Sequence, residues 1–414
     1  PLNPSYKSEE YEFYLKDLNP KIVLVEKNSE NPVVDVAKKL KIELCEINPE
    51  KDGPSGIFNI YEKESEYSLP DENDEALVLH TSGTTSRPKI VPLTNKNIFS
   101  SAENISKSLN LSENDHCLNI MPLFHIHGLI AILASSMKAG ASVCASNGFN
   151  AIKFLDMAKS EKITWYSGVP TMHQAILLRA RRNLEIAKVL KLRLIRSSSA
   201  SLPPAVFKDL NDVFSCPVIE AYGMTEATHQ MTSNPLPPKQ QKAGFVGLPA
   251  GPEVCIMNED GEVLKQGDEG EVCIKGENVT LGYDNNEEAN KTSFTNGWFR
   301  TGDQGYFDNE GYLKISGRLK EIINKGGEKI SPLEVDNVLM DHPLIDQAVC
   351  FGYEDKMLGE NIASAIIIKS GETCSENDVL EYAQEKLAKF KIPKKIFFVE
   401  EIPKGATGKL QRNV

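Results

Sequence analysis

The side chains best suited to chemistry begin in a hydroxyl-rich segment directly after a predicted buried strand. The strand covers residues 76–79 and leads into Thr81-Ser-Gly-Thr-Thr-Ser-Arg-Pro-Lys89. Such a turn directs backbone N–H groups and hydroxyls toward one point, which suits phosphate oxygens, and Arg87 and Lys89 can add positive charge. The spacing is not that of a Walker A loop, and a hydroxyl-rich turn is also common in plain surface loops. The segment predicts a phosphate-binding loop formed by Thr81, Ser82, Gly83, Thr84, Thr85 and Lys89.

Charged groups recur in four later segments that are rich in glycine. They are Ala221-Tyr-Gly-Met-Thr-Glu226, Trp298-Phe-Arg-Thr-Gly-Asp303, Gly317 to Pro332, and Pro403-Lys-Gly-Ala-Thr-Gly-Lys409. Taken alone, Glu226 is typical of a surface acid, Asp303 of a turn former and Lys409 of a solvated cation. The specific contexts, rather than the single residues, therefore carry the functional prediction.

The composition of the 414-residue chain is globular and acidic. It has 46 Lys and Arg against 58 Asp and Glu, which gives a formal net charge of −12 and a pI near 5.3. This charge argues against nucleic acid as the main partner, whereas nucleotide binding needs only a local site. The 8 Cys show no zinc-type spacing and are expected to be buried apolar residues in a reducing compartment. Residues 117–137 carry no charge, but Pro122, Gly128 and two histidines there argue against a membrane span.

Alternating strands and helices predict an α/β fold for most of the chain. Apolar runs typical of buried strands occupy residues 22–25, 42–47, 76–79, 141–145, 163–169, 192–195 and 217–221. Helical patterns lie between them at residues 33–40, 150–160 and 172–190. From about residue 244 to 316, short alternating runs with Asp-Gly and Glu-Gly turns predict a small β subdomain. The prediction is a large multi-layer α/β domain over residues 1–319.

Residues 320–414 are predicted to form a separate small α+β domain. Ser331-Pro-Leu-Glu334 has a capping-box pattern and opens a helix through residue 340. Strands are expected at 348–351 and 363–368, followed by a helix over about 377–390 whose start Ser375 marks. Between residues 386 and 412, 7 Lys and 1 Arg stand against 2 Glu. This local charge suits phosphate-bearing ligands, although an amphipathic helix and its loop explain part of it.

The order of these motifs closely resembles that of the adenylate-forming (ANL) acyl-CoA synthetase superfamily. The Thr81–Lys89 segment resembles its phosphate-binding loop. The four later segments resemble its adenine and magnesium motif, its ribose motif, its hinge and its catalytic-lysine loop, over essentially the whole chain. The resemblance implies an ATP- and Mg²⁺-dependent acid:CoA ligase. Such an enzyme forms an acyl-adenylate and then a thioester, and its C-terminal domain swings as a lid.

The resemblance also implies roles in the ATP site. Glu226 holds Mg²⁺, Thr225 contacts the α-phosphate and Tyr222 stacks on adenine, although an aromatic there is otherwise more often a core residue. Asp303 accepts hydrogen bonds from the ribose hydroxyls, with Arg318 beside it. The remaining implied nucleotide-side residues are Ser199, Ala200, Glu220, Ala221 and Gly223.

For the two half reactions, the resemblance points to residues of the C-terminal segment. Lys409 is implied to act in adenylation, near the bridge between the acid and the α-phosphate. Lys320 matches the hinge, and Gly326-Gly327 would give pantetheine of coenzyme A room to pass. One departure leaves open which side chain assists the thioester step, since Asn324 stands where some relatives have Lys.

The acid substrate is indicated by a narrower resemblance. Ser86 replaces a Gly found in many members, and this variant loop with segments 122–128 and 222–229 resembles oxalyl-CoA synthetases and related fungal peroxisomal CoA synthetases. Oxalate needs hydrogen-bond donors or positive charge for a second carboxylate, whereas a long-chain acid needs an apolar tunnel. His127 and His229 are also consistent with core or loop hydrogen bonding. The predicted acid-site residues are His125, Ser198, Ser199 and His229.

Other functions stay open at this point. A short- or medium-chain fatty-acid or aryl-acid CoA ligase could use the same scaffold, and a non-catalytic nucleotide-binding protein is a more remote alternative. The sequence leaves the oligomeric state open, and the expected compartment is the peroxisome or the cytoplasm. Because Pro1 to Tyr6 resembles a segment inside the large domain, we expect further residues to precede it in the whole protein.

Overall fold

The computed structural model describes residues 1–50, 57–60, 68–81 and 88–412. Contacts within the chain divide it into two compact units, Pro1–Pro70 and Asp71–Val414. Every motif of the predicted ATP and acid sites belongs to the second unit.

The first unit is a small α/β layer. Strands β1 (Ile22–Glu26) and β2 (Glu43–Pro49) pair in parallel, and β3 (Phe58–Ile60) is antiparallel to β2. Its helices are α1 (Ser8–Leu18) and α2 (Val33–Leu40), which supply all of the fully buried residues of its core. The strand–helix–strand order predicted for this region is therefore observed.

An antiparallel ribbon opens the described part of the second unit. Strands β4 (Glu75–His80) and β5 (Ile90–Thr94) pair along their lengths, and helix α3 (Asn95–Ser108) follows at once. Thr94 caps this helix, because its hydroxyl accepts a hydrogen bond from Asn97 N at 3.2 Å. The ribbon sets the two ends of the predicted phosphate loop side by side.

Seven strands form the central sheet of the second unit. They are β6 (His116–Asn119), β7 (Ser142–Ala145), β8 (Trp165–Gly168), β9 (Leu194–Ser197), β10 (Val218–Met224), β11 (His229–Ser233) and β12 (Leu248–Pro249). Their spatial order is β12-β11-β10-β9-β8-β6-β7. Strands β6 to β10 pair in parallel, whereas β11 and β12 are antiparallel. The carboxyl ends of β6, β8, β9 and β10 therefore meet at one edge, where ligands bind in open α/β sheets.

Helices connect these strands and share their core. A π-helical segment (His127–Ala134) precedes α4 (Ser135–Lys138), α5 (Ala151–Ser160), α6 (Pro170–Arg182), α7 (Leu184–Val189) and α8 (Pro204–Phe214). The prediction of one helix over 172–190 is wrong, because Asn183 leaves the helical region (φ −137°, ψ 47°) between α6 and α7. No helix among the described residues is long and apolar enough to cross a membrane.

The cysteines do not form disulfides. All eight are free, and four of them are fully buried: Cys117, Cys216, Cys273 and Cys350. The other four keep some exposed surface. The expectation of buried, apolar cysteines therefore holds in full for only half of them.

An antiparallel sheet follows the central sheet in the chain. Its strands are β13 (Glu253–Met257), β14 (Gly270–Lys275), β15 (Phe294–Thr295), β16 (Trp298–Phe307) and β17 (Leu313–Arg318), with helix α9 (Glu287–Ser293) before β15. Strand β16 pairs with β14, β15 and β17. The pairing of β16 with β17 places Asp303 directly opposite Arg318.

The C-terminal segment contains another sheet with its own core. Its elements are β18 (Ile323–Lys325), β19 (Glu328–Ile330), α10 (Pro332–Met340), β20 (Ile345–Asp355), β21 (Gly359–Ile368), α11 (Glu376–Lys386) and β22 (Lys395–Phe398). The strand order is β19-β18-β21-β20, and β22 pairs in parallel with β21. The two helices pack against this sheet through a hydrophobic cluster that includes Val335, Leu339, Ile366 and Val379.

Two predicted details of the C-terminal helices are wrong. Helix α10 begins at Pro332 as expected, but the Ser331 hydroxyl donates to the Ser316 carbonyl oxygen of β17 and does not cap the helix. Helix α11 starts after the expected cap, Ser375, but ends at Lys386, because Leu387 is extended and a short 3₁₀ turn follows. The first difference arises from a contact with β17, which helical periodicity does not encode.

Candidate active site

The carboxyl edge of the central sheet collects the predicted site segments. Strand β6 leads toward His125 and His127, β8 toward Thr171, β9 toward residues 198–200, and β10 toward Glu226. These segments are distant in sequence, and the parallel pairing of the strands brings their ends to one edge.

Thr81 and Lys89 close the base of the predicted phosphate loop. Thr81 N donates to Lys89 O at 2.9 Å, and Lys89 N donates to Thr81 Oγ1 at 3.1 Å. The Lys89 ammonium lies 4.2 Å from the centre of the Tyr283 ring, within cation–π range. The other predicted loop residues, Ser82, Gly83, Thr84 and Thr85, lie outside the described residues.

Glu226 is a buried carboxylate held by Tyr283. The Tyr283 hydroxyl donates to Glu226 Oε1 at 2.8 Å, and Glu226 is only 6% exposed. Burial raises the pKa of Glu226, while the Tyr283 hydrogen bond and the charges of Lys89 and Arg318 act in the opposite direction. Burial lowers the pKa of Lys89, which the charge of Glu226 opposes and that of Lys320 reinforces. These groups therefore form one electrostatically coupled cluster.

The turn that carries Glu226 has a strained backbone. Residues 225–227 form a 3₁₀ turn, and Thr228 (φ 49°) and His229 (φ 97°) after it both have positive φ, which is rare outside glycine. On the facing strand Gly223 is required, because a Cβ there would lie 1.9 Å from the His229 carbonyl oxygen. The tight hairpin between β10 and β11 thus fixes the position of the predicted magnesium motif, including Thr225.

Tyr222, Asp303 and Arg318 form a hydrogen-bonded cluster across three strands. The Tyr222 hydroxyl donates to Asp303 Oδ2 at 2.5 Å, and Arg318 Nε donates to Asp303 Oδ1 at 2.9 Å. The charge of Asp303 raises the pKa of Arg318, despite partial burial of the guanidinium. Each carboxylate oxygen keeps a further lone pair, so the cluster can still accept hydrogen bonds from ligand hydroxyls.

The loop over residues 198–200 is joined to β10 by side-chain hydrogen bonds. Ser198 Oγ donates to the Ala221 carbonyl oxygen at 2.8 Å. Glu220 is 1% exposed, and its Oε1 accepts a hydrogen bond from Leu202 N at 2.9 Å. Burial raises the pKa of Glu220 to about 8. The Glu220 side chain therefore supports the loop after β9 from within the core.

The loop that carries Lys409 contacts the start of helix α6. Thr171 Oγ1 donates to the Gly408 carbonyl oxygen at 2.8 Å, and Gly408 has a φ of 83°. Lys409 is exposed at the surface, and partial desolvation by the neighbouring protein lowers its pKa. The charge of Arg318 lowers that pKa further, whereas Asp303 opposes the shift. Lys409 therefore interacts electrostatically with the Asp303–Arg318 pair.

The predicted hinge is tied to the same loop by an arginine. Lys320 is exposed in a 3₁₀ turn after β17, and its neighbour Glu321 accepts a hydrogen bond from Arg412 Nε at 2.9 Å. Arg412 Nη2 also lies 2.6 Å from Asp336 Oδ2 on α10. Arg412 thereby joins the end of the lysine loop to the hinge and to the C-terminal core.

Gly326 and Gly327 form the exposed turn between β18 and β19. Their φ values are 62° and 94°, in the region that favours glycine. Gly326 N donates to the Leu358 carbonyl oxygen at 2.8 Å, in the hairpin between β20 and β21. Within the described residues, no hydrogen bond joins these glycines to Lys409, so the structure does not gather them with the other site residues.

His127, a neighbour of the predicted acid-site residues His125 and His229, forms a hydrogen-bonded chain with two serines. His127 Nδ1 lies 3.0 Å from Ser199 Oγ, and His127 Nε2 lies 2.7 Å from Ser167 Oγ. The ring of His229 lies 5.0 Å from that of His127, and His127 N donates to His125 Nδ1 at 3.2 Å. Both imidazole and hydroxyl groups are therefore concentrated at the ends of β6, β8 and β9.

These imidazoles stay neutral at physiological pH. Burial lowers the pKa of His125 to about 4, and the charge of Lys409 contributes to this shift. Burial also lowers the pKa of His127 and His229 well below the usual value, and the charge of Arg196 adds to both shifts. His125 therefore lies near Lys409, and the histidines supply hydrogen bonds but no positive charge.

Three residues of this region were not singled out from the sequence. Tyr283 and Thr171 are ordinary residues in sequence, and their contacts with Glu226 and Gly408 depend wholly on folding. Arg196 did carry a signal, because it is a charged residue inside the apolar run of β9. A charge at a position predicted to be buried is a reason to suspect function.

The fold and the site define an adenylating enzyme, and the chain belongs to the AMP-binding enzyme family. The sequence model of that family matches residues 1–284. The model of the AMP-binding enzyme C-terminal domain matches residues 334–409. These matches confirm the superfamily predicted from the motifs.

Among the relatives are two proteins named oxalate–CoA ligase. The one from Arabidopsis thaliana is 48% identical, over 100% of this chain and 82% of its own length. The one from Saccharomyces cerevisiae is 43% identical, over 100% of this chain and 81% of its own length.

Solved structures of similar fold include two ATP complexes. ATP-bound MatB from Rhodopseudomonas palustris has a TM-score of 0.90 at 29% identity, covering 100% of this chain and 82% of its own. The o-succinylbenzoate coenzyme A synthetase of Bacillus subtilis, in complex with ATP and magnesium ion, has a TM-score of 0.83 at 30% identity, with the same coverage of 100% and 82%. They confirm the predicted fold class.

Proposed function

We propose that this chain is an ATP-dependent oxalate–CoA ligase, an acid–thiol ligase that forms oxalyl-adenylate and then oxalyl-CoA. The observation that carries the proposal is the hydrogen bond that docks the Lys409 loop on Thr171, beside a buried cluster of imidazole and hydroxyl groups. The charge of Lys409 also interacts with those of Arg318 and Asp303 and lowers the pKa of His125. Full-length similarity to proteins named oxalate–CoA ligase supports the choice of acid. The resemblance to fungal peroxisomal CoA synthetases makes the peroxisome or cytoplasm part of the proposal.

The first half reaction joins two anions. One oxygen of the acid carboxylate attacks the α-phosphorus of ATP, and pyrophosphate leaves with the electron pair of the broken P–O bond. Positive charge at the reacting groups lowers this barrier, and Lys409 is the proposed donor of that charge. In the second half reaction the CoA sulfur attacks the carbonyl carbon of the adenylate, and AMP leaves.

Glu226 is the proposed magnesium ligand. Among the residues that the structure describes, no group of three or more His, Cys, Asp or Glu could hold a metal. One buried carboxylate fits Mg²⁺, since this ion takes its other ligands from substrate phosphates and water. When bound, the ion neutralises phosphate charge. Tyr283 orients the carboxylate through its hydrogen bond, and Lys89 adds a second positive charge.

The nucleoside part of ATP is assigned to the Tyr222 region. Asp303 is fixed by Tyr222 and Arg318 and is proposed to accept hydrogen bonds from the ribose hydroxyls. The adenine is proposed to lie between Tyr222 and the loop over residues 198–200, which Ser198 anchors to β10. Thr81 and Thr225 are proposed to contact the phosphates.

The acid is proposed to bind against His125, Ser199 and His229, with Ser198 behind the loop. Their neutral imidazoles and hydroxyls can donate several hydrogen bonds within a small volume. An alkyl chain placed there would leave these buried polar groups without partners, at a cost of about 1–3 kcal/mol each. This polarity favours oxalate over a fatty acid.

The domain boundary predicted at residues 319/320 is part of the proposal. The hydrogen bond of the Lys409 loop to Thr171 and the electrostatic interaction of Lys409 with the Asp303–Arg318 pair fit the adenylation state. A rotation about Lys320 would withdraw Lys409 and bring Gly326 and Gly327 to the thioester site. The separate hydrophobic core of the C-terminal segment supports its movement as one body.

Replacing Thr171 with valine is expected to slow acyl-adenylate formation about 3- to 10-fold, because the loss of one hydrogen bond to Gly408 costs roughly 1 kcal/mol. ATP–pyrophosphate exchange measures this step. Thioester formation from supplied acyl-adenylate should change little, since that step does not use the contact. Thr171→Ser keeps the hydroxyl and is the matched control. Equal slowing of both half reactions by Thr171→Val would contradict the assignment.

The proposed function is tested by ATP–pyrophosphate exchange with oxalate, malonate, acetate, octanoate and cinnamate. We expect oxalate to give the highest kcat/KM. Octanoate or cinnamate turnover without oxalate turnover would overturn the choice of acid and leave the family assignment intact. Product analysis for oxalyl-CoA and AMP then tests the complete reaction.

His229→Ala is expected to raise the KM for oxalate roughly 10-fold or more while the KM for ATP changes little, because the imidazole is proposed to contact only the acid. Steady-state kinetics with each substrate varied in turn measure both constants. His342→Ala, in the C-terminal segment, is a histidine control. An unchanged oxalate KM would remove His229 from the acid site.

A further inference from the structure

A buried arginine lies behind the imidazole cluster. Arg196 is 0% exposed and is one of the largest fully buried side chains of the protein. The strand register pairs it with Ser167 on β8 and with Ile219 on β10. Paired residues on neighbouring strands direct their side chains to the same face of a sheet. Arg196 and Ser167 therefore share one face at the carboxyl end of the central sheet.

No carboxylate neutralises this guanidinium among the described residues. Glu220, the acid of the adjoining strand, pairs with Ser197 and so lies on the opposite face. Arg196 Nη2 donates to the Gln230 side-chain oxygen at 3.2 Å, Nη1 makes a long contact of 3.5 Å to Ser167 Oγ, and Nε has no partner. Burial lowers the pKa of Arg196 to about 9, which leaves it positively charged at neutral pH.

The arginine also sets the direction of the hydrogen bonds that lead away from it. A guanidinium can only donate, so Ser167 Oγ is the acceptor in that contact. Within the part of the chain that the structure describes, the only acceptor for the buried Ser167 proton is then His127 Nε2, 2.7 Å away. This places the imidazole proton on Nδ1, which donates to Ser199 Oγ at 3.0 Å. The Ser199 proton is left free to be donated to a ligand.

A buried cation without a carboxylate partner destabilises the free protein. An anion bound at the end of the hydrogen-bonded chain offsets this destabilisation. The His127 and His229 imidazoles are neutral, so Arg196 is the buried positive charge behind them. In a monocarboxylate, the single carboxylate is the group that attacks phosphorus. A dicarboxylate has a second negative charge, which can interact favourably with the buried cation.

We propose that Arg196 is a specificity-determining positioning residue. Its positive charge polarises the hydrogen-bonded chain Ser167–His127–Ser199, and this favours acids with a second carboxylate. This inference rests on the proposed function, because it assumes that the acid binds beside Ser199. It adds the physical basis on which a dicarboxylate is preferred to a monocarboxylate of the same size.

The test compares oxalate with glyoxylate, in which an aldehyde replaces one carboxylate. In ATP–pyrophosphate exchange, Arg196→Met is expected to lower the ratio of kcat/KM for oxalate to that for glyoxylate roughly 30-fold or more. Arg193→Met is the matched control, because Arg193 precedes the same strand but pairs with Asp115 at 2.9 Å. It should leave the ratio within about threefold of the starting protein.

A purely structural arginine is distinguished by thermal unfolding. Removing an unpaired buried charge should keep or raise the Tm of the free protein, so Arg196→Met should lose selectivity without losing stability. A fall in Tm with an unchanged ratio would show a core role and overturn the inference.

Ser167→Ala provides a second route if Arg196→Met does not fold. It leaves the guanidinium in place and removes the hydroxyl that links it to His127, so the ratio should fall roughly fivefold or more. An unchanged ratio would overturn the inference. If the starting protein does not use oxalate at all, the proposed function fails and this inference fails with it. If it uses oxalate and both variants keep the ratio, only the role of Arg196 fails.

Discussion

Replacing Lys409 with alanine is expected to slow acyl-adenylate formation roughly 10²- to 10³-fold, the usual cost of removing one group that stabilises charge in a transition state. The reason is geometric as well as electrostatic. A hydrogen bond between Thr171 and Gly408 docks the loop, and the Lys409 ammonium interacts electrostatically with the Asp303–Arg318 pair. ATP–pyrophosphate exchange measures the effect.

The same variant should keep its thioester half reaction. Consumption of CoA with supplied acyl-adenylate is expected to change less than about threefold, because the proposed rotation withdraws Lys409 before that step. Lys404→Ala, an exposed lysine of the same loop, is the matched control and should affect neither step. An equal loss of both half reactions in Lys409→Ala would contradict the assigned role and the rotation together.

Replacing Glu226 with glutamine is expected to slow pyrophosphate exchange roughly 10²-fold and to raise the Mg²⁺ concentration needed for half-maximal rate. The amide keeps the size of the side chain but removes the charge that an Mg²⁺ ion requires. Magnesium titrations at saturating ATP and oxalate measure the shift. Glu277→Gln is the surface control, because that side chain is 67% exposed and pairs with Lys96. A normal magnesium dependence in Glu226→Gln would remove Glu226 as the ligand.

The pH dependence follows from the same carboxylate. Burial raises the pKa of Glu226, so activity that needs the ionised form is complete at high pH and is lost as the pH falls through this raised value. The Tyr283 hydrogen bond favours the ionised form of Glu226, so Tyr283→Phe should raise the pKa of Glu226 further. The acid limb of the pH–rate profile should then move to higher pH. A pH–rate profile that is identical in Tyr283→Phe would show that another group controls the limb.

Local pattern accounts for most of the fold. The buried run at residues 163–169 contains β8, and Ser375 marks the start of α11, because periodicity and capping depend on residues close in sequence. The break at Asn183 and the bond from Ser331 to Ser316 were missed. The bond from Ser331 joins it to a different strand, which local pattern does not contain.

The candidate site also contains some residues that the sequence predicted and others that it did not. Glu226, Asp303 and Lys409 were predicted because each lies in a short, specific context whose order along the chain is characteristic of the family. Tyr283 and Thr171 were missed, because neither has a distinctive context and each becomes important through one contact with a distant residue. Of the predicted phosphate loop, the structure adds the closure between Thr81 and Lys89.

The sequence by itself determined the class of chemistry, because the motifs can be recognised from the types of residue and their order along the chain. Only the tertiary structure decided which ionisable side chains lie next to each other. Arg196 and Glu220 are both buried ionisable residues on adjoining strands, yet the parallel register places Arg196 with Ser167 and Glu220 with Ser197. Because side chains alternate between the faces of a sheet, this pairing places the two side chains on opposite faces. It leaves the cation facing the acid site without a carboxylate partner among the described residues.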